Sequence, residues 1–319
     1  MEHLKPKALI VIILLTYVII FLTSCSNNNE FTNENTFTDD TKNYLYIPQG
    51  NGLSYGIVSS DKKHTVDERT FTIKENQNLD LTLLVANISN QTKNYLIKPI
   101  IDYEEQEIEV NKVHTESSKV QLEGNKVAFI PVKLPRLSRG MHDILFLIIK
   151  EPDNTDTTKD YRANTELNHM VAIRISVVVE VDTIPVFHLT PPYVNEENST
   201  LSGIFLSKDK KLKRWLVEKS TTNNINSMIQ VGNIGVKPFP YAILALKDWK
   251  LVPLSNEKAV IFGQVEPGRR DIYQNQLSVR LDKKVTNYTT VLIPYPYQRV
   301  ERFQPMDIEP SVRLAIVHN

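Results

Sequence analysis

From Tyr44 onward, short runs rich in Val, Ile, Thr, Tyr and Phe alternate with polar positions: Thr70–Ile73, Leu79–Ala86, Tyr95–Tyr103, Gln106–Val110, Lys126–Leu134, Asp143–Lys150 and Met170–Val181. Successive side chains of a strand face opposite sides of its sheet, so this period of two predicts strands. Polar segments at 74–78 and 89–94 separate the runs as turns would. No long stretch places apolar residues at i, i+3, i+4 and i+7, which excludes doubly wound and (β/α)8 scaffolds. The pattern predicts an all-β chain built as sandwiches or barrels.

The second half repeats the first. Val85-Ala86-Asn87-Ile88 overlays Val231-Gly232-Asn233-Ile234, and the same offset of 146 positions pairs Tyr95 with Tyr241, Ile97 with Ile243, Asp102 with Asp248 and Tyr103 with Trp249. Farther on, Pro135, Arg136/Arg139 and Asp143-Ile144 are matched to Pro267, Arg269-Arg270 and Asp271-Ile272 at a shorter offset that requires a deletion. A repeat this long is a duplicated domain and not a solenoid unit. The expected architecture is two tandem antiparallel β-sandwiches, similar to the immunoglobulin-like group in texture and lacking its Cys pair. Asn87 and Asn233 read as turn residues, Tyr95/Tyr241 and Ile97/Ile243 as core positions, and Asp102/Asp248 as strand-end charges. Pro185, Pro191 and Pro192 stiffen the connection and cannot serve a central ladder. The expected boundaries are therefore 44–182 for the first sandwich, 183–195 for a linker that restrains domain orientation, and 196–319 for the second sandwich.

The amino-terminal segment has a different texture. Lys5 and Lys7 precede Ala8–Leu22, a 15-residue uncharged run that ends at Leu22-Thr23-Ser24-Cys25. A membrane-spanning helix normally needs about 20 apolar residues, so the run reads as a secretory leader over 1–24, with an uncleaved helix anchor as the competing reading. Leu22, Thr23, Ser24 and Cys25 resemble the lipobox of bacterial lipoproteins. That resemblance implies cleavage before Cys25, a diacylglycerol thioether on its sulfur, acyl chains in the bilayer and residence on the extracytoplasmic face of the cell membrane. Two acyl chains hold stably where one holds marginally. After Cys25, residues 26–43 are polar apart from Phe31 and Phe37. They cannot bury enough surface to offset chain entropy, so 25–43 is expected to be a disordered tether.

Composition narrows the function. The chain holds 37 basic and 37 acidic residues. Removing the leader takes Lys5, Lys7 and Glu2, which leaves the protein near neutral and argues against nucleic-acid binding. The single Cys excludes an internal disulfide and Cys-rich zinc sites. Gly52-Leu53-Ser54-Tyr55-Gly56 has the letters of a nucleophile elbow but no helix pattern behind it. The histidines show no metal-ligand spacing, and Glu105, Glu107 and Glu109 alternate as one solvated strand face would. No catalytic residue, metal or cofactor is expected.

Two irregular segments are the expected seats of binding, because loops on rigid scaffolds carry function. Glu151–Asn168 reads as a long, solvated polar loop. Lys208, Lys210, Lys211, Lys213 and Arg214 surround Trp215, and as a helix face or a hairpin this segment is a candidate contact for anionic lipid or wall polymer. The expected function is a non-catalytic binding or assembly module for another envelope protein. The alternatives are a receptor for a small solute or cell-wall polymer and, last, a hydrolase.

Overall fold

The computed structural model describes residues 52–62, 64–164, 170–254, 258–279, 283–302 and 307–318. Leu22, Thr23, Ser24, Cys25 and the polar segment 26–43 lie outside them. Among the described residues the regular structure is strand, apart from one short helix at Lys159–Asn164.

Two sheets form the first sandwich. In hydrogen-bonded order, the outer sheet is Leu53–Val58, Asp80–Asn87, Lys126–Lys133, Ile108–Val110 and Val113–Thr115; the inner sheet is Thr70–Ile73, Met170–Val179, Gly140–Lys150, Lys93–Ile101 and Glu104–Glu105. Ser118–Leu122 also pairs with Lys93–Ile101. The second sandwich has an outer sheet of Val194–Glu196, Arg269–Ser278, Asn224–Asn233 and Gly203–Ser207. Its inner sheet is Val217–Ser220, Leu314–His318, Val285–Pro294, Phe239–Lys247 and Lys250–Leu251, with Ile261–Val265 also on Phe239–Lys247. In both halves the entering chain first joins the outer sheet, then crosses to run parallel to the last strand of the inner one. This is an immunoglobulin-like arrangement.

The repeat holds for the strands the two halves share, while Ile108–Val110 and Val113–Thr115 of the first and Val194–Glu196 and Glu309–Pro310 of the second have no counterpart among the described residues. Asn87 donates through Nδ2 to the carbonyls of Gln91 (2.7 Å) and Leu122 (3.0 Å); Asn233 donates to those of Lys237 (2.8 Å) and Val265 (3.0 Å). Each accepts at Oδ1 from the amide two residues on, Ser89 or Gly235. The paired Asn residues thus tie off buried strand ends where backbone groups would otherwise lack partners. Tyr95 and Tyr241 are fully buried. Asp102-Tyr103 and Asp248-Trp249 all have positive φ, as a two-residue hairpin turn of mirror-image type demands. Asp102 Oδ1 accepts the Asp143 amide and Asp248 Oδ1 accepts that of Asn287, so the paired aspartates close equivalent turns.

One part of the sequence alignment is corrected. Lys126–Lys133 pairs with Asp80–Asn87 as Arg269–Ser278 pairs with Asn224–Asn233, and Lys126 corresponds to Arg269. Asp143 corresponds to Asn287, each beside the aspartate turn, and not to Asp271. The Pro-Arg-Arg-Asp match joined strands from different sheets.

The inner sheets face each other. Ile144, Phe146 and Ile148 enter the first core, while the alternating Leu145, Leu147 and Ile149 enter a separate cluster with Ala242, Leu244, Leu246, Val291 and Ile293. Gly140–Lys150 is therefore buried throughout. Both sandwiches fall within one compact unit. The linker joins the seam through Phe187, which stacks on Phe262 at 4.5 Å, while Tyr103 meets Phe262 and Tyr297 edge-on. Strand pairing resumes at Val194, inside the expected linker, because Val194–Glu196 completes the outer sheet against Arg270–Ile272.

Candidate functional site

Polar groups lock the seam. Arg174 donates from Nε and Nη2 to the two carboxylate oxygens of Asp143 at 2.8 and 2.6 Å, a forked pair that is almost wholly buried. Its remaining donors reach the carbonyls of Pro294 and Tyr295 in the second sandwich. Tyr103 donates to Asp143 at 2.6 Å, and burial beside that carboxylate drives the phenol well above its ordinary range. Asp307 accepts the Arg174 amide at 3.3 Å. Burial raises its carboxyl to about 6, against the opposing pull of that bond and the Arg174 and Arg69 charges. Glu105 takes the buried Lys98 at 2.8 Å and accepts the Leu251 amide from across the seam. This corrects the reading of Glu105, Glu107 and Glu109 as one solvated face: the chain changes sheets between Glu105 and Ile108.

The loop from Glu151 is also corrected. Its described part, through Asn164, is an anchored wedge. Asp156 accepts the Thr158 amide at 2.6 Å just ahead of the helix. Arg162, 1% exposed, reaches the Arg313 carbonyl at 3.1 Å and Asn287 Oδ1 at 3.2 Å. Arg313 answers by donating to the carbonyls of Lys150 and Glu151, and its guanidinium lies 4.5 Å from the centre of the Trp249 ring.

That wedge brings Lys159 of the first sandwich to the basic segment of the second. Lys159, Lys208, Asp209, Lys213 and Arg214 line a hollow of about 340 Å³ with the segment Trp215–Glu218. The segment is neither helix nor hairpin. Residues 208–216 cross between the sheets without regular structure, because Gly203–Ser207 belongs to the outer sheet and Val217–Ser220 to the inner. Trp215 is accordingly not a surface contact: its ring packs in the second core, 7% exposed, and its Nε1 donates to Glu218 at 2.9 Å. Glu218 also takes Lys208 at 2.9 Å, and Lys210 lies over the Tyr193 ring. Among the described residues, Lys159, Lys211, Lys213 and Arg214 are exposed and have no carboxylate partner. These free cations on a fixed frame attract anions.

Ser54 lies in an edge strand opposite Ala86, without the strand–turn–helix geometry that an elbow nucleophile needs. His142 bonds Asp102 at 2.6 Å and the Ser138 carbonyl at 2.8 Å. Burial lowers its affinity for a proton, but these bonds outweigh it and leave the pKa raised. Among the described residues, no three His, Cys, Asp or Glu side chains cluster as a metal site, and no helix is long and apolar enough to cross a membrane.

Comparison with known proteins finds no matching family model and no matching curated protein. Solved structures do match. A CARDB domain from Pyrococcus furiosus, solved with di-metal ions, is 14% identical with a TM-score of 0.25, over 42% of this chain and 100% of its own. Red sea bream transglutaminase is 10% identical with a TM-score of 0.23, over 84% of this chain and 31% of its own. The periplasmic chaperone SfaE is 12% identical with a TM-score of 0.22, over 84% of this chain and 100% of its own. At such scores the likenesses carry no functional argument, and the fold rests on its own strand order.

Proposed function

We propose that this chain is a lipid-anchored, extracytoplasmic, non-catalytic protein that holds a binding partner of the cell envelope close to the membrane. Cys25, with Leu22, Thr23 and Ser24 before it, supplies the anchor. One observation carries the binding part: the sandwiches are fused through a filled apolar seam, Leu145, Leu147 and Ile149 against Ala242, Leu244 and Val291, rather than hinged around a cleft. A receptor that closes two lobes on a solute needs faces that part; a rigid double sandwich instead suits the presentation of fixed loops.

The basic hollow fits this setting. Lys159, Lys211, Lys213 and Arg214 would rest against anionic headgroups or wall polymer and orient the tethered body. Each cation near an anionic membrane contributes about 1 kcal/mol. The unlipidated Cys25→Ser protein with Lys213→Glu and Arg214→Glu should bind phosphatidylglycerol vesicles at least tenfold more weakly than Cys25→Ser alone, with unchanged thermal stability. Equal binding would remove the hollow from the account. Chemical crosslinking of the full chain in intact cells should capture a defined envelope protein, and a lack of any product above background from a folded chain would count against the binding role.

A further inference from the structure

The two sandwiches act as each other's control, and they differ where the chain crosses from outer to inner sheet. In the second, the crossing segment drives Trp215 into the core that also holds Ile225, Leu277 and Val279. Thr70 pairs with Ser176 in the first sandwich as Val217 pairs with Ala315 in the second, which sets Glu68 at the position of Trp215. No indole enters there. Instead a cleft of about 690 Å³ opens at that end of the first sandwich, floored by Ile57, Phe71, Leu81 and Val132 and lined also by Val66.

We infer that this cleft takes one bulky apolar side chain, aromatic or large aliphatic, from an extended segment of a partner polypeptide. The first sandwich is then completed from outside as Trp215 completes the second from within. The volume lies in the usual range for binding sites of about 300–1,000 Å³, and the part-buried Val66 and Phe71 leave apolar surface on its walls that an inserted ring would cover. The rim carries two carboxylates, Asp80 and Glu109, and two ammonium groups, Lys112 and Lys133. Such a rim offers no net charge for a free ion to follow, but its mixed donors and acceptors suit the dipoles of a peptide backbone. The inference rests on reading the chain as a protein-binding module and names the chemistry of what it binds.

The probe is a fluorescein-labelled peptide with the sequence of Lys211–Glu218, the chain's own plug, titrated by anisotropy onto the detergent-solubilised full-length protein. Saturable binding is expected, weakened at least tenfold by Val66→Trp in the protein and by alanine in place of the peptide's tryptophan. Lys213→Glu with Arg214→Glu in the protein should leave it unchanged. If Val66→Trp does not fold, Asp80→Cys capped with a bulky maleimide blocks the same rim and should give the same loss. Absence of saturable binding, or binding indifferent to both blocks, overturns the inference. Displacement by dodecanoate, with the alanine peptide binding as well as the parent, assigns the cleft to an acyl chain and overturns it too. A cellular partner captured equally by Val66→Trp refutes the cleft but leaves the binding role. Peptide binding without any cellular partner does the reverse.

Discussion

At the scale of single residues, the duplicated positions are the most informative. Asn87 and Asn233 make the same bonds in separate cores, so Asn87→Ala and Asn233→Ala should each cost about 2–4 kcal/mol in urea denaturation, since each strands at least two buried backbone groups. A large cost at only one site would mean that the two cores are not equivalent. The turn half of the Asn pattern was readable because part of its bonding is to backbone within four residues; the bonds to Leu122 and Val265, 35 and 32 positions away, were not. Arg174 and Asp143 were not readable as partners, because 31 positions separate them and only the sheet register brings them together. Removing one member of such a buried pair costs about 3–5 kcal/mol, and Arg174→Ala should show this. Burial pushes the carboxyl of folded Asp307 up to about 6, from an ordinary value of 3.8. The folded state holds this proton more tightly, so its contribution to stability is complete below about pH 4 and is lost as pH rises through 6. Asp307→Asn should therefore melt above wild type at pH 7.5 and lose that advantage towards pH 4. Thermal melts across this range would contradict the assignment if the two curves stayed parallel.

At the scale of elements, the strand runs were legible because alternation is a local property. The seven runs read in the first half all contain observed strands, with ends shifted by a few residues. The Pro-Arg-Arg-Asp match misled because strands on either side of a sandwich share the same alternation, so a short motif cannot tell which sheet it belongs to. The basic segment was legible in charge but not in direction. Trp215 lies among lysines and an arginine in sequence, yet the crossing between sheets turns it inward as a plug. Trp215→Ala should cost about 3–5 kcal/mol as an emptied core site, whereas Lys213→Glu beside it should change stability by less than about 0.5 kcal/mol. Equal costs, measured by chemical denaturation, would contradict the inward placement.

At the scale of the molecule, the seam was not legible at all. Gly140–Lys150 and, within Phe239–Lys247, the stretch Tyr241–Leu246 are buried on both faces. A sequence shows such a strand as continuously apolar without saying what covers the second face. Restrained orientation was expected from the prolines; in the structure it comes mainly from the side chains between the inner sheets. Leu145→Asp, which places a charge in that seam, should split one cooperative unfolding transition into two and expose the linker near Phe187 to protease. A single, equally protected transition would mean that the seam contributes little.

The proposed role depends on the chain being held at the membrane by Cys25. The most direct test is metabolic labelling with an alkyne-bearing fatty acid, followed by fractionation, for wild type and Cys25→Ser in the same cells. Labelled wild-type protein in the membrane fraction and unlabelled variant, uncleaved or released, is the predicted result. Wild-type protein that takes no label and is found free in the medium would contradict it.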